Sequence, residues 1–391
     1  MFSNRLPSHA EINPLTRALA GLRAGGVPIT DLTESNPTRV GFEYPVDLLT
    51  EFSGAAARRY DPEPFGLRVA REAVAADYAR RGARVDPGHV VLSASSSEVY
   101  SWLFKLLCNP GEGVLVPEPS YPLFEHLTRL EAIRPVPYQL RYHGRWEIDF
   151  DSLAAAPADT RALLLVSPNN PTGSYVSRQE ARRVAELCRA RGWAIVADEV
   201  FADYALDADT PPTEIAMNQG VLSFTLGGAS KSLALPQVKL GWMVVDGPPR
   251  ERDRALAALE IVADTFLSVG TPVQIAAPSL LNRGEAIRRQ VQRRLATNLA
   301  QARDIAGRHP SCTVLPVEGG WSLVVRVPAT RHEDALVLAL LERERILVHP
   351  GYYFDFPHEA FLVVSLLPPE GAFAAAFERT LQFASRPDEP S

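Results

Sequence analysis

Six short, almost uninterrupted apolar runs alternate with stretches of helical periodicity, and this alternation sets the fold class of the 391-residue chain. The runs are HVVLSA (89–94), GVLVP (113–117), ALLLVS (162–167), WAIVAD (193–198), VLSFTL (221–226) and LGWMVV (240–245). Strands that are apolar on both sides of the pleat are buried on both faces, so helices must lie above and below a mostly parallel sheet. Helical patterns at 67–81, 97–107, 178–191, 251–267 and 278–308 supply those layers. After residue 308 the order becomes strand (321–327), helix (333–343), strand (346–349), strand (361–366) and helix (371–383), which describes a smaller α+β domain. The chain therefore divides into an N-terminal arm and loop (1–45) that packs with the small domain, a large domain (46–275) and the small domain (276–391). The acidic, proline-bearing end RPDEPS reads as a mobile tail.

Composition narrows the class of function. A net charge of -6 without any basic run interleaved with aromatics argues against a nucleic-acid partner. The three cysteines, Cys108, Cys188 and Cys312, are odd in number and lack metal-ligand spacing, so neither a disulfide nor a metal site is expected. The start has no signal-peptide pattern and no stretch reaches the ~18 uninterrupted apolar residues of a membrane span. A cytoplasmic protein without membrane contact is the expectation.

The cations are unevenly chosen. Of forty lysines plus arginines only three are lysine, and two of them, Lys231 and Lys239, lie in GGASKSLALPQVKLGW, inside a stretch without Asp or Glu from Glu214 to Asp246. Arginine stays charged and cannot attack a carbonyl, whereas a lysine shielded from water can lose its proton and do so. Chemistry at this turn is implied.

In open α/β sheets, ligands sit beyond the carboxyl ends of the strands, and four features of the sequence fall there. Ser95-Ser96-Ser97 follows the first run and opens a helix, where amides, hydroxyls and the helix dipole suit a phosphate. Taken alone, the triplet reads first as an ordinary N-cap. Asn169-Asn170-Pro171-Thr172-Gly173 follows the third run and reads equally as a plain turn. Asp198 ends an otherwise apolar strand, where a bare carboxylate is costly without a cationic partner. Lys231 follows the fifth run and, by itself, fits a solvated turn. Together the four suit one ligand carrying a phosphate, a protonated ring nitrogen and an aldehyde, as pyridoxal phosphate (PLP) does.

With these features in order, the sequence resembles the fold-type I PLP-dependent enzymes, specifically the class I/II aminotransferase family. The resemblance runs from Thr33-Glu34-Ser35-Asn36-Pro37-Thr38 through Tyr60 with Gly66-Leu67, Ser95–Ser97, Pro119-Ser120-Tyr121-Pro122, Asn169–Gly173, Asp198-Glu199, Ser230-Lys231 and Pro350-Gly351 to Ser365. It implies a large domain with a mostly parallel seven-stranded sheet, a smaller α+β domain and a homodimer with shared active sites. It also implies that Lys231 holds PLP as an aldimine and shuttles the proton between Cα and C4' on the way to pyridoxamine phosphate. Asp198 would pair with the ring nitrogen, Asn170 with the 3'-oxygen, and Tyr121 would stack on the ring. Ser95, Ser96, Ser97, Ser230 and Lys239 would gather the phosphate, with Tyr60 reaching it from the neighbouring subunit. Asn36, Asn170 and Arg326 are the expected substrate contacts.

Three positions depart from the family pattern. Lys239 stands where an arginine is usual, giving up the bidentate fork on phosphate. Phe201 replaces the tyrosine that donates to the 3'-oxygen, so the imine should stay protonated to higher pH. Val363 occupies the position of the arginine that clamps the substrate carboxylate, and no arginine lies between Arg345 and Arg379 to take its place. Arg326 or Arg39 could substitute, although surface solvation suits both, and His349 could touch substrate or simply pack at a strand end. The leading expectation is an amino acid–2-oxo acid transaminase. The alternative, prompted by Val363, is a PLP-dependent decarboxylase, lyase or synthase. A non-catalytic PLP-binding sensor is a third reading, disfavoured because the residues ahead of the 33–38 loop are too few for a fused helix-turn-helix.

Overall fold

The structure is a computed structural model that describes residues 3–6, 13–206 and 216–386. The tail expected to be mobile lies outside these residues from Pro387 onward. The first strand, β1 (Thr30–Asp31), belongs to the N-terminal arm. Eight further strands build one sheet: β2 (Val90–Ser93), β3 (Gly113–Glu118), β4 (Arg134–Tyr142), β5 (Trp146–Ile148), β6 (Thr160–Val166), β7 (Ala194–Asp198), β8 (Ser223–Gly228) and β9 (Gly241–Asp246). They lie in the order β2-β9-β8-β7-β6-β3-β4-β5. The pairs from β8 through β7, β6 and β3 to β4 are parallel, and β9 is antiparallel to both β8 and β2. Thus β2, β3, β6, β7 and β8 all present their carboxyl ends at one edge, where loop residues converge.

The six apolar runs all become strands, but the sheet has eight strands instead of the expected seven. The two that the apolar pattern misses are β4 and β5, and the reason is chemical. Strand β4 reads RPVPYQLRY, and proline within a run argues against a central strand. Here Arg134 N donates to Glu112 O at 2.9 Å, so the even-numbered amides of β4 face β3 and the positions of Pro135 and Pro137 fall on the other edge. That edge is paired only at Leu140–Tyr142, where the short β5 folds back on it, so the prolines cost no ladder bond.

Side-chain alternation covers both faces. Val114, Val116, Leu164, Val196, Phe224 and Met243 pack under the helices Ser96–Leu107 and Pro249–Phe266. Leu115, Leu163, Leu165 and Ile195 pack instead against Val184 and Cys188 of the helix Arg178–Arg191. Each fully buried aliphatic side chain contributes about 1.5–3 kcal/mol relative to exposure. The single helical stretch expected at 278–308 is two helices, Thr271–Arg283 and Glu285–Gly307. They part at Gly284, where any Cβ would collide with Leu233.

A second, antiparallel sheet comprises β10 (Thr313–Val314), β11 (Ser322–Arg326), β13 (His349–Pro350) and β14 (Phe361–Ser365), in the order β10-β11-β14-β13. Between them β12 (Ile346–Leu347) pairs in parallel with β1. Ser365 N and Oγ each donate at 2.7 Å, to Leu32 O and Glu34 O, so the arm and its loop are hydrogen-bonded to the end of β14. Among the described residues no single helix is long and apolar enough to cross a membrane.

Candidate active site

Lys231 sits in one helical turn, Ala229–Ser232, directly after β8. Its backbone is pinned by Tyr204, whose hydroxyl donates to Lys231 O at 2.8 Å. The ammonium lies 5.0 Å from the centre of the Trp321 ring and 5.4 Å from that of Phe201, two aromatics that meet edge to face at 5.3 Å. Burial among these rings pushes its pKa below the ordinary lysine range, and the charge of Asp198 partly opposes the shift. A lysine so placed is closer to the free amine that attacks an aldehyde.

Asp198 ends β7 one strand away, in register with Leu226 of β8. Burial pushes its carboxyl up, while the Val200 amide, the Tyr100 hydroxyl and the charge of Lys231 pull it down. Oδ1 accepts from Val200 N at 3.1 Å and Oδ2 from Tyr100 Oη at 2.9 Å. An ionised carboxylate has about four lone-pair sites, so acceptor capacity remains for a ring N–H.

The phosphate end is built where β2 meets its helix. Ser95 caps Ser96–Leu107, its Oγ accepting from Glu98 N at 3.2 Å, and Ser96 and Ser97 form the first turn beside the free amides. Gly241 of β9 permits this approach, because an added Cβ would stand 3.0 Å from the Ser95 carbonyl carbon. Ser230 is half-buried beside Lys231, and Lys239 is exposed with φ +56°. Lys239 precedes Leu240, whose carbonyl accepts from Ala229 N at 2.9 Å, so its backbone lies between the lysine turn and the serine turn.

The third wall is the loop after β6. Asn169 Nδ2 donates to Pro119 O at 3.0 Å and to Thr172 Oγ1 at 2.9 Å, stitching this loop to the one carrying Tyr121. Gly173 has φ +70°, and a Cβ there would lie 2.6 Å from Gly319 O, so only glycine fits. The amide of Asn170 has no partner among the described residues and remains available. Tyr121 is 45% exposed, and burial together with the charge of Asp198 pushes its hydroxyl pKa up. The loop is fixed from the small domain by Ser120 N donating to Phe354 O at 2.9 Å.

The structure thus brings Ser95–Ser97, Tyr121, Asn170, Asp198, Ser230 and Lys231 to one edge of the large sheet. Three expected residues stand apart. Tyr60 is 76% exposed. Asn36 is half-buried, with Oδ1 occupied by Thr38 N at 3.1 Å and Thr38 Oγ1 at 2.7 Å. Arg326 lies at the exposed far end of β11, about 16 Å along the strand from Trp321 by the usual rise per residue. Solvation, not the chamber, takes Arg326, and Arg39 is likewise exposed. Val363 is 2% exposed and faces Val324 and His349 across its neighbouring strands. Burial pushes His349 below the ordinary histidine range. Sequence reasoning misses Tyr100 and Tyr204. Tyr100 lies three residues after Ser97 on the same helix, the only local hint that its hydroxyl could serve the same site.

An amine buried beside aromatics, a carboxylate with free acceptor capacity, an uncommitted amide and a serine-rich helix start fit PLP. Comparisons with known proteins agree. The family model of aminotransferase class I and II matches residues 54–371. Glutamate-pyruvate aminotransferase AlaA of Escherichia coli K12 is 27% identical over 383 residues, covering 95% of this chain and 94% of the relative. Alanine aminotransferase of Mycobacterium tuberculosis H37Rv is 28% identical over 383 residues, covering 95% and 89%. The crystal structure of an aminotransferase from Escherichia coli superposes with a TM-score of 0.89 at 25% identity, covering 100% of this chain and 99% of the other. That of alanine aminotransferase from Pyrococcus furiosus gives 0.87 at 21%, covering 98% and 100%.

Proposed function

The chain belongs to the class I and II aminotransferases, PLP-dependent enzymes that move an amino group from an amino acid to a 2-oxo acid, and from this membership we propose how its residues divide the work. Lys231 would supply the amine that holds the cofactor's aldehyde carbon, and the same nitrogen would be placed to take up and return a substrate proton. Asp198 would hold the ring nitrogen, Asn170 the 3'-oxygen, and Tyr121 the ring itself. Ser95, Ser96, Ser97, Ser230 and Lys239 would hold the phosphate. When bound, PLP supplies the electron sink that makes the substrate's Cα proton removable. The observation that carries this division is the buried pair at adjacent strand ends: Lys231 lowered by desolvation, and Asp198 kept able to hold charge by two donors.

The donor and acceptor belong to the same proposal. The relatives are named for alanine, glutamate and pyruvate, and the walls nearest Lys231 are Phe201 and Trp321. We therefore assign a small amino acid of the alanine type as one substrate, with pyruvate as the corresponding 2-oxo acid. A homodimer is supported by Tyr60, Ile261 and Phe266, large apolar or aromatic side chains that this chain leaves exposed. In that dimer Tyr60 completes the partner's phosphate site. Three unpaired cysteines support a reducing compartment, the cytoplasm. The decarboxylase, lyase or synthase alternative has no support among the relatives. Adding L-alanine to PLP-loaded protein should yield pyruvate and pyridoxamine phosphate in equal amounts. Release of CO2 or ammonia with the cofactor still in its aldehyde form would contradict the assignment.

A further inference from the structure

The contact between Tyr100 and Asp198 joins two parts of the site that sequence reasoning treats separately. Tyr100 lies on the helix Ser96–Leu107, whose first turn faces the phosphate position. It follows Ser96 and Ser97 by four and three residues, so all three share one helix face. Its ring is 3% exposed and wedged against Phe124, edge to face at 5.3 Å, and against Phe104 at 6.1 Å. Only the hydroxyl leaves this apolar packing, and it ends 2.9 Å from Asp198 Oδ2. The opposite oxygen is held by the Val200 amide at 3.1 Å. The carboxylate is therefore fixed in plane and in rotation by two donors from different elements before any ligand arrives.

We infer that Tyr100 is a positioning residue for the ring-nitrogen partner: by donating to Asp198 Oδ2 it orients the carboxylate and weakens its hold on the proton shared with the cofactor ring. This inference rests on Asp198 facing the ring nitrogen. A carboxylate that accepts a hydrogen bond is a poorer base. The shared proton then stays on the ring nitrogen, which keeps the ring a strong electron sink. Without the hydroxyl, the buried carboxylate recovers basicity and draws the proton toward itself. The same helix carries the phosphate turn, so the two anchors at opposite ends of the cofactor are held at a fixed spacing by one rigid element.

The test uses Tyr100→Phe, which deletes one oxygen and leaves the ring packing in place. With PLP labelled by 15N in the ring, the ring-nitrogen resonance of the variant should move toward the neutral-pyridine position. Its kcat should fall about tenfold with KM within about twofold of wild type, the loss of one hydrogen bond to a charged group. Site-specific 3-fluorotyrosine at position 100, a more acidic phenol and stronger donor, should move the resonance the opposite way. An unchanged resonance and kcat in both variants, accompanied only by a lower melting temperature, would reduce Tyr100 to a packing role and overturn the inference. Borohydride trapping on Lys231 separates the two levels. A variant that still traps cofactor there but shows the unshifted resonance contradicts the role of Tyr100 alone, whereas wild-type protein that traps none contradicts the site assignment beneath it.

Discussion

The floor of the site on the large domain and the second sheet, in the small domain, are built on opposite principles. On the floor each charged group has a counterpart nearby: Asp198 has Tyr100, Val200 and the field of Lys231, and Lys231 has two aromatic faces and that of Asp198. In the second sheet the central cross-strand row is His349, Val363 and Val324. Val363 stands in this row, at the position where the family resemblance implies an arginine for the substrate carboxylate. One region pairs its charges at the strand ends, and the other presents a cross-strand row without a permanent cation. The charge pairing of the floor therefore does not depend on a cation in the second sheet.

The sharpest way to break the contrast is to remove a charge from the floor. Asp198→Ala should lower kcat by about 10³-fold, the upper range for deleting one preorganised electrostatic contact. A drop of less than tenfold would mean that the ring nitrogen does not depend on this carboxylate. The same residue sets a pH dependence in cofactor-free protein. Its folded pKa is raised above 3.8 chiefly by burial. Its contribution to stability is therefore complete below that value and is lost as pH rises through the raised pKa. Asp198→Asn should flatten that slope in thermal melts followed as a function of pH.

Adding a charge to the other region is the complementary change. Val363→Arg buries a guanidinium among Val324, Phe354 and Phe356, and should cost about 3 kcal/mol or more of stability in urea unfolding. A variant as stable as wild type and faster on alanine would show that this face is a vacant clamp, not an apolar wall. A smaller effect is expected at Phe201→Tyr. Restoring a donor to the 3'-oxygen should lower the pKa of the nitrogen joining Lys231 to the cofactor by about one to two units, read by absorbance titration. The smallest effect belongs to Lys239→Arg. Regaining the bidentate fork should slow cofactor loss by only a fewfold, because Ser95–Ser97 already supply amides and hydroxyls.

The parts of the molecule legible in the sequence are those where physics allows few residue types. A strand buried on both faces has to be apolar, so all six runs of that kind become strands. A carboxylate or a lone lysine at the end of such a strand is conspicuous because burial there is expensive. Strand β4 escapes notice because its half-exposed pattern and two prolines suit only its particular edge position. Arg326 misleads for the converse reason: arginine is the right chemistry for a carboxylate, but alternation and strand length carry it to the solvent end of β11. Tyr100 is invisible because its hydroxyl meets Asp198 only when β7 and the helix Ser96–Leu107 pack, a contact 98 residues apart in sequence. The break at Gly284 likewise depends on Leu233, a neighbour in space and not in sequence.

The most direct measurement is borohydride reduction of the PLP-loaded protein, followed by peptide mass mapping. A single pyridoxyl-phosphate adduct at Lys231, absent from Lys231→Ala and accompanied by loss of alanine–pyruvate exchange, is the expected result. An adduct at Lys105 or Lys239, or exchange that survives in Lys231→Ala, would contradict the assignment of the buried amine as the group that bonds the cofactor.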